Sequence, residues 1–329
     1  MRSNAMAFAA RSLFIAWLLA TVALSATAQD YPTRPVRLIV PFPPGASTND
    51  VLGRLIAQRL SESLGQQFVV ENRPGAGGTI GTELVAKAPP DGYTLLIGTN
   101  GPIAIGPHVY PKLGYDPLKD LDPVNLFAMV PYAIVVNATS KANNLQDLVA
   151  MAKASPGQLA YASSGNGSPA HLCGELLRGQ SGIDIIHVPY KGSGTALGDL
   201  VGGQVDSMFD QLTSSLPFIR AGKVRILGVT SAKRSSLLPE VQTLAEQGFA
   251  GMDASTWVGI FAQAATPREI VGRLNASIQK ITRSTAFRER LASLGADALE
   301  GSPEQFAQWF RDEVTKWGAI VRSSGAKAE

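Results

Sequence analysis

A single cysteine, three histidines and 7% aromatic residues are spread over 329 positions. The lone Cys173 excludes an internal disulfide, so packing must hold the fold even in an oxidising compartment. Charged residues make up only 17% of the chain, and no long run of one sign occurs. That removes the electrostatic basis for nucleic-acid binding or a polybasic membrane role. His108, His171 and His187 stand far apart and suggest no metal site. A G-x-S-x-G elbow and a P-loop are both lacking. The segment Gly165 to Ala170 matches G-x-G-x-x-A, but the following strand ends on Tyr190 and Lys191, where a dinucleotide site needs an acid. These absences point to a protein without cofactor, metal or catalytic group, not an enzyme.

What is present begins with a leader. Arg2 and Arg11 precede the apolar stretch Leu13 to Leu24, and Ala26-Thr27-Ala28 offers a small-x-small cleavage site. Residues 1–28 therefore read as a signal peptide cleaved near Ala28, with an uncleaved anchor as the alternative. Met1 and Met6 both remain as start residues, and no cysteine follows the cleavage site to carry a lipid. The expected product is a soluble exported protein beginning near Gln29. The leader holds two arginines and no acids, so the rest has 27 basic against 26 acidic residues, a net of +1.

The remainder alternates short apolar runs with amphipathic stretches. Val36 to Val40, Phe68 to Val70 and Thr94 to Ile97 read as strands, separated by helices over Asn49 to Leu64 and Thr79 to Lys87. After Asp120 the pattern restarts, with strands at Tyr132–Val136, Leu159–Ala162, Ile183–Val188, Val205–Phe209 and Arg225–Val229. Helices at Leu145–Ala154, Pro169–Gly179, Thr195–Val201 and Ser214–Ala221 lie between them. Such alternation predicts an α/β fold of parallel β-α units. A strand at Trp257–Ala262 precedes three helices, Pro267–Thr282, Thr285–Leu294 and Pro303–Val321, with no sheet of their own. This block is expected to pack back on the first lobe and make it discontinuous; two sequential domains are the alternative.

Two turns have the same design. PFPPGASTND (41–50) follows the first strand, and YASSGNGSPAH (161–171) leads from a strand into a helix. Ser168 suits an N-cap and Pro169 the first turn, while Thr48 or Asn49 can cap the earlier helix. Glycines allow close approach of a ligand, and helix-start N–H groups favour an anion. One such turn in each half fits either an anion held between lobes or ordinary turn chemistry. Asn72 to Thr79 and Thr99 to Pro102 are further turns at strand ends. Tyr190 can wall a pocket and Lys191 can neutralise a carboxylate, with a core tyrosine beside a solvated lysine as the equal alternative; Asp210 can accept from a ligand amine or cap a helix.

Together with VVENRPGAGGTIGTELVAKAPPDGYTLLIGT, YDPLKDLDPV, HVPYKGSGTALGDLVGGQVDSMFD and VTSAKRSSLLPEV, these turns resemble the substrate-binding receptors of tripartite tricarboxylate transporters, the TctC or Bug family. The similarity runs from Tyr31 to about Lys327. It implies a periplasmic binding protein of the two-lobed type II (Venus-flytrap) class, each lobe a mixed, mostly parallel sheet flanked by helices. Lobe 1 would comprise 29–129 and 254–329 and lobe 2 would be 130–253, with the ligand cleft between them. A monomer is expected. It would bind a small carboxylate (di- or tricarboxylate, acidic amino acid or aromatic acid) and deliver it to integral-membrane permease subunits.

The resemblance assigns ligand contacts to Phe42, Gly45, Ala46, Thr48 and Asp50, to Thr99 and Asn100, and to Ser164, Gly165, Gly167, Ser168 and His171. Tyr190 and Asp210 match family blocks near the cleft. The chain departs from the family at Gly45-Ala46, where Gly-Gly is usual, and its acid, Asp50, comes one residue late. Gly106 and Gln211 also replace the usual Asn and Ser. A periplasmic sensor and an exported hydrolase using Asp50 or His171 are the competing functions.

Overall fold

The structure, a computed structural model, describes residues 31–45, 47–235, 237–252 and 254–324. The leader assigned to residues 1–28 and the site residue Ala46 lie outside the described residues. From Arg34 onward the described residues form one compact unit. It runs through β1 (Val36–Val40), α1 (Thr48–Leu64), β2 (Phe68–Asn72), α2 (Thr79–Ala86) and β3 (Thr94–Thr99). A π-helical turn at Gly101–Ile105 and two short helices, α3 (Gly106–Val109) and α4 (Pro117–Asp120), lead into β4 (Leu121–Val130). Then come β5 (Tyr132–Asn137), α5 (Leu145–Ala154), β6 (Ala160–Ser163), α6 (Pro169–Ser181) and β7 (Ile186–Pro189). The series continues with α7 (Ser193–Val201), β8 (Ser207–Gln211), α8 (Leu212–Arg220) and β9 (Val224–Val229). It closes with β10 (Thr256–Gln263), α9 (Arg268–Arg283), α10 (Thr285–Ser293), β11 (Asp297–Ala298) and α11 (Pro303–Ser324).

Two mixed sheets flanked by helices result, one per lobe. Their orders are β11-β4-β10-β3-β1-β2 and β7-β6-β8-β5-β9. Pairing is parallel where helices cross between strands, at β1–β2, β1–β3, β6–β7 and β6–β8. It is antiparallel where β10 meets β3 and β4, where β11 meets β4, and where β5 meets β8 and β9.

β4 was not legible in the sequence. Pro123 and Asn125 break its pattern, yet it is ten residues long and pairs with β10 along its length. Pro123 falls at a register shift opposite Ile260 and Phe261, an irregularity that accommodates a residue without an N–H. The closing helical block also has a strand: β11 pairs with β4 at Met129 and Ala128. The segment Ile183–Val188 becomes a strand only from Ile186.

Burial follows the pattern that each element requires. Every residue of β3 is buried, as expected of a strand covered on both faces. α9 buries Val271, Leu274, Ile278 and Ile281 at helical spacing. One buried cluster extends from Ile39 and Leu96 in the first sheet, through Trp257 and Phe310, to Tyr161 and Phe209 in the second. Within it the buried Glu313 accepts from Trp257 Nε1 at 3.0 Å and from Trp317 Nε1 at 2.9 Å, so neither indole N–H is left unpaired. The chain crosses between the sheets before Tyr132 and again before Thr256. There Thr256 Oγ1 donates to Tyr132 Oη at 2.8 Å, tying the two crossings together.

Candidate functional site

The loop 41–47 carries the chain from β1 into α1. Gly45 takes φ +100°, a left-handed conformation that suits glycine. Ser47 is the N-cap of α1, its Oγ accepting from Asp50 N–H at 3.3 Å. The expected caps, Thr48 and Asn49, lie inside the helix instead. The buried Asp50 accepts at Oδ2 from Gly45 N–H and from Arg54 Nε, each at 2.9 Å, and at Oδ1 from Asn72 Nδ2 at 2.8 Å. Burial alone would push its carboxyl up, but the bonds from Arg54, Asn72 and Gly45 outweigh this and hold it below its ordinary value. Asp50 thus staples the loop to α1 and β2, and both its oxygens are occupied.

Loops from the neighbouring strands gather beside it. Asn72 Nδ2 also donates to Phe42 O at 3.0 Å, while the Phe42 ring and Pro102 both pack against Gly78. Thr99 Oγ1 accepts from Gly101 N–H at 3.3 Å, and the buried Asn100 donates to Ser255 O at 3.3 Å. Phe42, Gly45, Thr48, Thr99 and Asn100 therefore line the carboxyl ends of β1 and β3. That is where open α/β sheets hold ligands.

In the second sheet, Ser168 caps α6 by accepting from His171 N–H at 3.2 Å. Gly167, at φ +69°, donates its N–H to His171 Nδ1 at 3.1 Å, which puts the His171 proton on Nε2. The imidazole stacks on His187, ring centroids 3.9 Å apart, and His187 stacks in turn on Tyr161 at 4.9 Å. His187 Nε2 meets Ser163 Oγ at 2.7 Å, and Ser163 Oγ accepts from Gly165 N–H at 3.1 Å. Burial, with His171 alongside, pushes His187 down to about 3; burial also lowers His171, against the pull of Glu175. The two rings are thus neutral near pH 7 and form an uncharged backing for the Ser164–Ser168 turn. Glu175, one helical turn beyond His171, accepts from Tyr161 Oη at 2.8 Å.

Tyr190 and Asp210 occupy a third position. Tyr190 Oη donates to Asp199 Oδ2 at 2.8 Å, while its backbone N–H donates to Ser163 O at 3.1 Å. Lys191 beside it is exposed. Asp210 is fully buried at the end of β8 and accepts from Ser193 Oγ at 2.5 Å and Ser215 Oγ at 2.7 Å. It binds the first turns of α7 and α8 to the sheet.

The two lobes meet at this level. Thr48 Oγ1 of α1 and Ser214 Oγ of α8 lie 3.1 Å apart in a buried hydrogen bond. Gly167 packs against Val109 of α3, and Leu212 packs against Gly295. A family profile described as "Tripartite tricarboxylate transporter family receptor" matches residues 52–326. The chain belongs to that family.

The protein BugT of Bordetella pertussis is 42% identical to this receptor-family chain over 316 residues, 96% of each chain. Among solved structures, R. palustris Rpa4515 with adipate superposes with a TM-score of 0.87 at 39% identity, covering 91% of this chain and all of that one. MatC from Rhodopseudomonas palustris with bound malate gives 0.81 at 34% identity, covering 88% and 100%. Among the described residues, no helix of this TctC-family chain is long and apolar enough to cross a membrane.

Sequence reasoning missed the His171–His187 stack, the Ser193 and Ser215 partners of Asp210, and the Thr48–Ser214 contact. A serine just after a strand-end acid, or at the first position of a nearby helix, is a usable signal for the second. Nothing in the sequence signals the other two.

Asp210 in this TctC-family fold has a measurable consequence. Burial pushes its carboxyl up to about 6, against the opposing hydroxyls of Ser193 and Ser215. A raised folded pKa means that the native state holds the proton more tightly than the unfolded chain between about pH 4 and pH 6. Stability is therefore lost as pH rises through that window. Asp210→Asn should unfold at higher denaturant than wild type at pH 7, by no more than about 3 kcal/mol, with the gap closing near pH 4. Paired urea titrations at both pH values check this.

Proposed function

We propose that this chain is an exported receptor whose two lobes, 29–129 with 254–329 and 130–253, close on a small carboxylate. It then delivers that ligand to the integral-membrane permease of a tripartite tricarboxylate-type transporter, working in the periplasm. The observation that carries the reading is the convergence of two helix starts, one from each lobe, at Thr48 and Ser214. Each follows a strand end, where open α/β sheets take their ligands. The positive ends of α1 and α8 both favour an anion there. Family membership and the adipate and malate held by similar proteins support the same ligand class.

On this reading Phe42, Gly45, Thr48, Thr99 and Asn100 approach the ligand from lobe 1. Ser164, Gly165, Gly167, Ser168 and His171 approach from lobe 2. Asp50, Tyr190 and Asp210, whose polar side-chain atoms already bond within the protein, hold the turns in place.

A thermal-shift screen of di- and tricarboxylates, aromatic acids and acidic amino acids tests the proposal. A bound acid at about 100 times its Kd adds roughly 2.7 kcal/mol of stability. The corresponding methyl esters should give no shift. Equal shifts from acids and esters, or none from any acid, would overturn the carboxylate reading.

A further inference from the structure

The turn 164–168 is held at two points by histidine. Gly167 N–H donates to His171 Nδ1 at 3.1 Å, a bond that needs this nitrogen unprotonated. Ser163 Oγ accepts from Gly165 N–H and donates to Gly165 O, each at 3.1 Å, and His187 Nε2 donates to the same oxygen at 2.7 Å. The two imidazoles lie 5° from parallel with centroids 3.9 Å apart. His187 comes from β7 and His171 from α6, so the stack ties that strand to the helix that follows the turn. Among the described residues, the charges acting on His171 are Glu175 and Arg178 of its own helix, and on His187 the ring of His171. Tyr161 of β6 and Cys173 of α6 are the other titratable groups of the column, and Phe209 of β8 closes it without charge. Glu175 is itself held by Arg178 at 2.5 Å and by Tyr161 at 2.8 Å, which limits what it can offer an imidazolium.

We propose that His187 and His171 act as one acid-sensitive brace: while both rings are neutral they hold the turn 164–168 in the form that meets the ligand, and proton uptake releases the turn and the bound acid. This rests on the carboxylate-receptor reading above. His187 is a positioning residue in it, acting on the turn through Ser163 and His171 and making none of the contacts assigned to the ligand. A second proton on His171 has only Nδ1 to occupy, where it would face the Gly167 N–H, donor against donor, across 3.1 Å. A proton on His187 would set a positive charge flat against the neighbouring ring. With both protonated, two like charges would lie 3.9 Å apart. Burial acts in the same direction, holding both rings below the ordinary histidine value. A depressed folded pKa means that the held form takes up fewer protons than the released one. The held form is therefore favoured above about pH 6.5 and loses ground as pH falls. At pH 5 each released ring of ordinary pKa shifts the balance towards release by about thirtyfold.

Calorimetric titration of the exported chain with adipate and with malate at pH 7.5 and pH 5.0 tests the coupling, with His187→Gln alongside. Glutamine can donate to Ser163 Oγ as the imidazole does but does not titrate, and the ligand's own ionisation affects both proteins equally. The rise in Kd between the two pH values should be at least about threefold larger for wild type than for His187→Gln. Equal rises, or a larger rise in His187→Gln, would overturn the brace while leaving the receptor reading intact. A ligand-free measurement follows the imidazole nitrogens and the Gly165 and Gly167 amides of wild type by NMR from pH 7.5 to 4.5. Rings and amides should shift together, with one midpoint below about pH 6.5. Rings that stay neutral throughout, or that take up protons while both glycine amides stay in place, would overturn the brace. This second measurement decides the matter even if His187→Gln fails to fold or neither acid binds. Absence of binding by every acid of the thermal-shift screen would instead overturn the receptor reading.

Discussion

Asp50→Ala should lower the unfolding free energy by about 3 kcal/mol and weaken ligand binding in the same protein. The carboxylate joins three partners drawn from three places: the loop at Gly45, the next helical turn at Arg54 and the neighbouring strand at Asn72. Truncation leaves all three donors without their acceptor. Arg54 is half exposed and recovers water, so most of the cost falls on Gly45 N–H and Asn72. Asn72 also holds Phe42 O, so the disturbance reaches the loop that approaches the ligand.

Asp50→Asn should cost less, because one oxygen still accepts. Its folded pKa lies below the ordinary value, so the ionic contribution is present above about pH 4 and is lost as pH falls through the folded pKa. Wild type and Asp50→Asn should therefore converge in acid. Urea titrations at pH 7 and pH 3 measure both effects. A wild-type-like midpoint for Asp50→Ala at pH 7 would contradict the staple.

Gly174→Ala is the second large effect, also about 3 kcal/mol, from overpacking. A β-carbon at Gly174 would sit 2.1 Å from Tyr161 Cε2 and 2.3 Å from Cζ. The ring has little room to retreat. It stacks on His187, meets the Phe209 ring edge-on and donates through its hydroxyl to Glu175. Relief must come from tilting α6 or breaking the Tyr161–His187–His171 column, and either moves the Gly167 N–H held by His171. Gly179 on the same helix is the control, since nothing lies within 4 Å of its β-position. Gly179→Ala should be neutral or slightly stabilising, by a few tenths to about 1 kcal/mol. Thermal melts of the two variants, with near-ultraviolet circular dichroism for the tyrosine environment, separate crowding from helix propensity.

The elements written in local patterns were legible. α1, α5, α9, α10 and α11 fall within a few residues of their expected bounds because apolar spacing and capping residues act over single helical turns. β1, β3 and β10 were likewise clear as aliphatic runs bounded by turn residues. β4 was missed because its strand character comes from pairing with β10, more than a hundred residues later, which overrides Pro123 and Asn125.

The site divides in the same way. Glycine turns and the Ser168 cap could be read from adjacent residues. That Asp50 turns inward to Asn72, that His171 lies flat on His187, and that Asn49 Oδ1 has no partner are results of packing between segments separated in sequence.

The pairing of β4 with β10 also bears on the order in which the chain assembles. Val130 lies directly opposite Thr256, so without residues 131–255 these strands would form an ordinary hairpin. The five strands of the second sheet are contiguous in sequence, from Tyr132 to Val229, and can pair as soon as that segment is available. The first sheet cannot. β10 stands between β3 and β4, so β1, β2 and β3 remain separated from β4 until the chain beyond the second sheet arrives. Loop-closure entropy therefore weighs on the first lobe and hardly on the second. Pulse-labelling hydrogen exchange during refolding should find amides of β5 and β8 protected before those of β3 and β4.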